Sequence, residues 1–209
     1  YGKDMPELFE QLRAAGCEVV RNTTGGILDK EQMKALLADC TGVIVGVDPL
    51  DAEVLACAPG LKAVAKYGVG VDNIDLDYCK AHGIRVSRTA GANSEAVADY
   101  AMALMLAVAR KVPLIDGKCR AMNWGKITTR DVSHATLGLL GLGAIGKHVA
   151  KRAQGFGMKV IAYDVFWNEE YAAANGVEYA EPETIFRTAD FISLHLPLTP
   201  ETKNYVGER

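Results

Sequence analysis

The chain has no clustered cysteine, no long apolar run and no block of like charge, and each absence narrows what it can be. Cys17, Cys40, Cys57, Cys79 and Cys119 are odd in number, scattered and without C-x-x-C spacing, which excludes a disulfide framework and argues against a metal site. They read as buried, reduced thiols of a cytoplasmic protein. The longest apolar stretch, Tyr100 to Ala109, is far short of a membrane span. Tyr1-Gly2-Lys3-Asp4 shows no charged-then-apolar leader. A formal net charge of −3 with dispersed lysine and arginine leaves no footprint for nucleic acid. Low-complexity tracts and short repeats are also missing. What remains is 209 residues, 49% hydrophobic and 23% charged, enough for one or two globular domains with a sizeable core.

Helical and strand patterns alternate almost throughout, which predicts an α/β fold with parallel sheets. A helix over about Pro6 to Ala15 stops at Gly16, and Cys17 to Arg21 reads as a strand. Asp29 and Gln32 form a capping-box pattern opening a helix to about Asp39. Strands are expected over Thr41–Gly46, Leu61–Lys66 and Ile84–Ser87, with short helices over Asp51–Ala58 and Asp75–Ala81. This series is a small doubly wound unit. Ser94 to Lys111 then forms a helix about 27 Å long. It is apolar on all sides from Ala96 to Ala109, so burial on more than one face is expected, between two domains or against a partner subunit. Pro113 to Met122 follows as a second helix and Trp124 to Ser133 as a loop.

The most specific signal lies beyond that loop. An apolar strand, Leu137 to Leu140, runs into Gly141-Leu142-Gly143-Ala144-Ile145-Gly146, then a helix, then a second strand, Val160-Ile161-Ala162-Tyr163, ending at Asp164. Gly141 allows a tight turn, Gly143 lets the backbone approach a pyrophosphate, and Gly146 permits close packing of helix on strand. The helix start offers free N–H groups to phosphate oxygens. Asp164 stands where a carboxylate accepts hydrogen bonds from ribose hydroxyls, and no Arg or Lys occurs among Val165 to Glu170, which favours NAD over NADP. A strand near Val177, a helix from Glu181 to Ala189 and a strand from Asp190 to Leu194 complete the pattern. The chain opens at a helix and stops soon after its last strand, so the natural protein is expected to extend beyond both ends.

Four blocks in order resemble the D-isomer-specific 2-hydroxyacid dehydrogenases, with the phosphoglycerate dehydrogenase-like branch the nearest match. They are Lys66-Tyr-Gly-Val-Gly-Val-Asp-Asn-Ile-Asp75, Asn93-Ser-Glu-Ala-Val-Ala-Asp-Tyr100, the glycine turn with Asp164, and His195-Leu-Pro-Leu-Thr-Pro-Glu-Thr202. The resemblance implies a flavodoxin-like substrate domain over residues 1–92, lacking its first strand, and a Rossmann domain binding NAD over residues 93–209, lacking its second half. It implies hydride transfer between nicotinamide and C2 of a small anionic 2-hydroxy or 2-oxo acid: 3-phosphoglycerate, glycerate or hydroxypyruvate, glyoxylate, or lactate. It also implies a homodimer through the long helix and the segment after it.

By the same resemblance the cofactor is held by Val69, Gly141, Gly143, Ala144, Ile145, Gly146, Asp164, Leu196, Pro197 and Thr202. The substrate is held by Val69, Gly70 and Asn93. The glycines Gly68 and Gly70 serve either an anion nest or only a strand-to-helix turn, and Asn93 either reaches substrate or caps its helix. Lys126 reads as a surface lysine. His195 matches a variable family position and reads as a packed histidine; His82, His134 and His148 read as surface or turn residues. The family's arginine, acidic residue and histidine fall downstream of the position of Arg209, so these residues alone are expected to bind without turning over. Two departures stand out. Ala144 replaces a common arginine at the pyrophosphate, which Lys147 could offset, and Asp99 replaces a common glutamate, in a structural role through the helix dipole or an interdomain hydrogen bond. The other classes weighed are a dinucleotide-sensing corepressor-like regulator of the same fold and a methyltransferase-type nucleotide binder.

Overall fold

A computed structural model describes residues 5–207; the readings placed on Tyr1 to Asp4 and on Arg209 lie outside the described residues. The chain divides into two compact units, Tyr1–Ala90 and Gly91–Arg209.

In the first unit, α1 (Glu7–Ala14) ends where Gly16 takes φ +86°. Helix α2 (Lys30–Leu37) opens on the expected capping box: the Gln32 N–H donates to Asp29 Oδ1 at 2.8 Å, and the Asp29 N–H donates to Gln32 Oε1 at 3.0 Å. There follow β1 (Gly42–Val45), α3 (Ala52–Ala56), β2 (Ala63–Lys66), α4 (Leu76–Ala81) and β3 (Arg85–Arg88). The strands pair in parallel in the order β1-β2-β3, Val43 beside Val64 and Val64 beside Val86. Asp51 and Asp75 cap α3 and α4, accepting from the N–H of Val54 and Tyr78. Leu37, Leu50, Val54, Leu55 and Val64 form the core.

The expected strand over Cys17–Arg21 is absent. A strand exists only through ladder bonds to a neighbour, and this segment has none among the described residues; Val20 is 59% exposed. The expectation of five buried thiols is corrected as well: all five are free, but Cys79 alone is buried, while Cys17 and Cys57 are exposed.

The second unit contains α5 (Ser94–Ala109), α6 (Val112–Arg120), β4 (Thr136–Leu140), α7 (Ala144–Gly155), β5 (Lys159–Tyr163), α8 (Glu169–Ala174), β6 (Val177–Tyr179), α9 (Pro182–Thr188) and β7 (Phe191–Leu194). The four parallel strands run in the order β6-β5-β4-β7. The chain therefore builds outward from β4 through β5 to β6, then returns to β7 on β4's other side. The carboxyl ends of β4 and β7 flank the point where the direction of winding reverses, which is where such sheets leave a crevice. Gly138 in β4 is required by α9: a Cβ there would collide with the Ile185 side chain and lie 3.0 Å from the Ala189 Cβ.

Helix α5 packs on α7 through Ala98 and Met102. Within its own unit it buries the side that faces α7, while Tyr100, Leu104 and Val108 are 66%, 50% and 74% exposed. The sequence pattern also missed α8, although Asn168 caps it by accepting from the Tyr171 N–H at 2.8 Å. No helix among the described residues is long and apolar enough to cross a membrane.

Candidate functional site

The turn between β4 and α7 uses its three glycines for three different reasons. Gly141 has φ +99°, and a Cβ there would lie 2.6 Å from the His195 carbonyl oxygen, so both conformation and space demand glycine. A Cβ on Gly146 would collide with the Gly141 carbonyl. Gly143 has neither need: its φ is −71°, and a Cβ would meet nothing within 4 Å. Its smallness leaves room above an exposed helix start, whose first N–H groups have no partner within the helix. That open ground at the end of α7 suits a phosphate group.

Asp164, at the end of β5, is tied to the same turn. Its Oδ2 accepts from the Leu142 N–H at 2.6 Å and its Oδ1 from the Phe166 N–H at 2.8 Å. The half-buried carboxylate thus fixes the turn's shape, and each oxygen keeps a lone pair for a further donor such as a hydroxyl. Val165 and Phe166 beside it are 74% and 89% exposed, offering apolar surface next to the acid.

Lys147 does not stand free over the turn. Its ammonium lies 4.5 Å from the centre of the Tyr171 ring, on α8. The same Tyr171 hydroxyl donates to the Lys147 carbonyl at 3.4 Å, and burial pushes the Tyr171 phenol's pKa up. The cation that could stand in for a side chain at Ala144 is therefore shared with α8. Asp99 finds its partner inside its own unit, its Oδ1 accepting from Arg152 Nε of α7 at 2.5 Å, rather than through an interdomain bond.

At the end of β7 the His195 N–H donates to the Leu140 carbonyl at 2.8 Å, carrying the ladder one residue past the strand. Its ring Nε2 lies 2.9 Å from Ser193 Oγ, and burial pushes the ring's pKa below its ordinary value. Leu196 packs near Gly141, its Cδ2 3.4 Å from where a Cβ would stand. Pro197 is exposed, and its carbonyl accepts from the Thr202 hydroxyl at 2.5 Å, while Thr202 Oγ1 accepts from the Thr199 N–H at 2.8 Å. Thr202 thus closes the turn that presents Leu196 and Pro197. The glycine turn, Asp164 and the His195–Thr202 segment form one connected site.

The first unit holds a second candidate site, formed by the loop between β2 and α4. The residues Val47, Lys66, Gly68, Val69, Gly70 and Asn73 help line a recess of about 260 Å³. Gly68, at φ +153°, donates its N–H to Thr89 Oγ1 at 3.1 Å and accepts from that hydroxyl at 3.2 Å. Arg88 donates to the Val69 carbonyl at 3.3 Å. The N–H groups of Val69 and Gly70 meet no protein acceptor among the described residues. The residues that shape this loop, Thr89, Lys66 and Asn73, were not singled out by the sequence pattern; the lone lysine closing an apolar strand was the available signal. Asn93 heads α5 without a side-chain capping bond, and its side chain is exposed. Lys126 is exposed.

Comparison with known proteins gives these arrangements a family. Residues 102–209 match the model of the D-isomer specific 2-hydroxyacid dehydrogenase, NAD binding domain. A glyoxylate reductase of Korarchaeum cryptofilum is 43% identical over 178 residues, covering 81% of this chain and 53% of the relative. A D-3-phosphoglycerate dehydrogenase of Mycobacterium tuberculosis is 38% identical over 183 residues, covering 86% of this chain and 35% of the relative. Among solved structures, a Thermus thermophilus protein superposes with a TM-score of 0.86 at 39% identity, covering 94% of this chain and 63% of the other. The D-lactate dehydrogenase of Aquifex aeolicus, complexed with NAD and lactic acid, gives 0.80 at 30% identity, covering 96% and 60%. The chain spans about half the length of the first curated relatives it matches. It belongs to the D-isomer specific 2-hydroxyacid dehydrogenase family and carries that family's NAD-binding domain.

Proposed function

We propose, with that membership as premise, that this chain serves the exchange of a hydride between NAD and C2 of a small 2-hydroxy or 2-oxo acid. The observation that carries the reading is Gly143: alone of the three motif glycines, nothing inside the protein requires it, so its smallness serves a group outside the protein. NAD would supply the hydride acceptor or donor when bound. The chain's own residues do the holding. The start of α7, at Gly143 to Gly146, receives the pyrophosphate through backbone N–H groups. Asp164 receives the ribose hydroxyls with its outward lone pairs, and with no cation beside it repels a 2′-phosphate. Leu196 and Pro197 exclude water from the nicotinamide side. Val69 and Gly70 turn unpaired N–H groups toward the substrate carboxylate, and Asn93, which caps nothing, is free to reach the substrate.

Residues 1–92 act as the substrate domain and residues 93–209 as the NAD-binding domain. The relatives named glyoxylate reductase, hydroxypyruvate reductase and D-3-phosphoglycerate dehydrogenase support small 2-oxo acids of that kind as substrates. A homodimer through α5 and α6 is supported by the unpartnered apolar side chains Tyr100, Leu104, Val108, Val112 and Leu114. Five unpaired cysteines support a cytoplasmic setting.

Proton transfer to the substrate oxygen needs a positioned acid or base, and the histidines here have other work. His82 stacks on Tyr78 at 3.8 Å, and His195 is bonded to Ser193. His148 lies 3.8 Å from Glu95 on helix surfaces, and His134 sits in a turn at φ +63°. The test is a panel of 2-oxo acids with NADH. Saturable NADH binding by the 209-residue chain without turnover is the expected result. Failure to bind NADH overturns the reading; steady NADH consumption overturns the separate expectation that the acid-base group lies outside these residues.

A further inference from the structure

Among the described residues the buried polar side chains are those of Lys66 and Ser94, and Lys66 is 7% exposed. Strand β2 reads Ala63-Val-Ala-Lys66, and its last side chain turns inward rather than to water. The Lys66 ammonium donates to the Gly46 carbonyl at 2.5 Å and to Asn73 Oδ1 at 2.6 Å. Asn73 in turn donates to the carbonyls of Asp48, at 2.6 Å, and Gly46, at 3.2 Å. Every acceptor is neutral, and Lys66 forms no ion pair among the described residues. A buried charge with hydrogen bonds but no counter-charge is costly. Something outside the chain can repay that cost.

The loop beside it has the complementary want. The Lys66 Cε lies 3.4 Å from where a Gly68 Cβ would stand, so the lysine stem runs directly beneath the loop. Successive N–H groups of Val69, Gly70, Val71 and Asp72 have no protein acceptor among the described residues. Lys66 and this loop line the same recess. Of the other charges nearby, Arg88 is exposed and bonded to the Val69 carbonyl; Asp72 lines the recess but is exposed, with Oδ1 2.9 Å from a Gly70 Cβ position; Asp48 is half-buried and its carboxylate accepts from the Leu28 N–H at 2.9 Å. Exposed charges are screened, whereas a buried one acts at low effective dielectric.

The geometry points to Lys66 as the positioning charge that makes this recess select an anion: the ligand's carboxylate is the counter-ion the buried ammonium lacks. This rests on reading the loop as the substrate-carboxylate seat. Lys66 acts in two ways. Through Asn73 it fixes the loop so its N–H groups converge, and through its charge it favours a carboxylate over a neutral group of equal shape.

The test is an amide-resolved NMR titration of the chain with pyruvate and with its neutral amide, pyruvamide. In the wild type, pyruvate is expected to move the Val69 to Asp72 amides saturably. Lys66→Met should weaken pyruvate about tenfold or more while leaving pyruvamide unchanged. Asn73→Asp keeps the lysine but gives it a carboxylate, and should weaken pyruvate similarly. Arg88→Met, removing an exposed charge, should cost less than about threefold. If Lys66→Met loses its dispersed spectrum, Asn73→Asp decides. Pyruvate binding by both variants within about twofold of wild type would overturn the role of Lys66 while leaving the seat itself standing. Wild-type amides 69–72 that ignore pyruvate would overturn the reading of the seat.

Discussion

The three motif glycines separate a fold requirement from a ligand requirement at single-residue resolution. Gly141→Ala forces a side chain into a left-handed conformation against the His195 carbonyl, and Gly146→Ala drives one into the Gly141 carbonyl; each should lower stability by about 1–3 kcal/mol in thermal unfolding. Gly143→Ala meets open space and should leave the melting temperature unchanged while weakening NADH. Ala144→Arg should tighten NADH by about tenfold in a fluorescence titration, because a guanidinium at the helix start adds a charge-assisted bond that Lys147, shared with Tyr171, does not provide. His195 supplies a pH signature. Burial holds its pKa below the ordinary value of 6.5, so folding favours the neutral ring. Its contribution to stability is complete above 6.5 and is lost as pH falls through the lowered folded value. Unfolding midpoints followed from neutral to mildly acidic pH should fall in the wild type and fall less in His195→Gln.

At the scale of elements, α5 is the informative case. Its all-round apolar sequence demands cover, and its own unit covers one side, against α7. Leu104→Glu on the uncovered side should turn a dimer into a monomer in sedimentation velocity with little change in NADH affinity; a wild type that already sediments as a monomer would remove the dimer proposal. Elements with local signals were legible. The Asp29–Gln32 box, the capping aspartates and the glycine stop at Gly16 mark helix ends through bonds between near neighbours, and the sequence displays those directly. Cys17 to Arg21 was misread because β-branched composition reports suitability for a strand, while a strand requires a partner that composition does not name. Helix α8 was overlooked because its six residues give too short a pattern, although Asn168 ahead of two glutamates was a usable cap signal.

At the scale of the whole molecule, the chain forms two units with separate cores. The glycine turn and Asp164 were legible because each residue's job is set by backbone geometry within one strand–turn–helix–strand unit. The clasp of Asp164 on Leu142, the collision between Gly141 and His195, and the burial of Lys66 were not, since each joins residues far apart in sequence. Hydrogen exchange should show the division: NADH is expected to slow exchange around residues 141–146 and 195–202, within Gly91–Arg209, and to leave the β1-β2-β3 sheet unaffected.

The open ground at Gly143, beside Asp164, is the proposed seat for NAD. Titration of the wild type and Gly143→Val with NADH and NADPH, read by energy transfer from tryptophan to the reduced nicotinamide, tests it most directly. Saturable NADH binding, NADPH binding weaker by about tenfold or more, and loss of NADH binding in Gly143→Val with no fall in its melting temperature are the expected results. Equal affinity for the two dinucleotides, or unchanged NADH binding by the valine variant, would contradict that assignment.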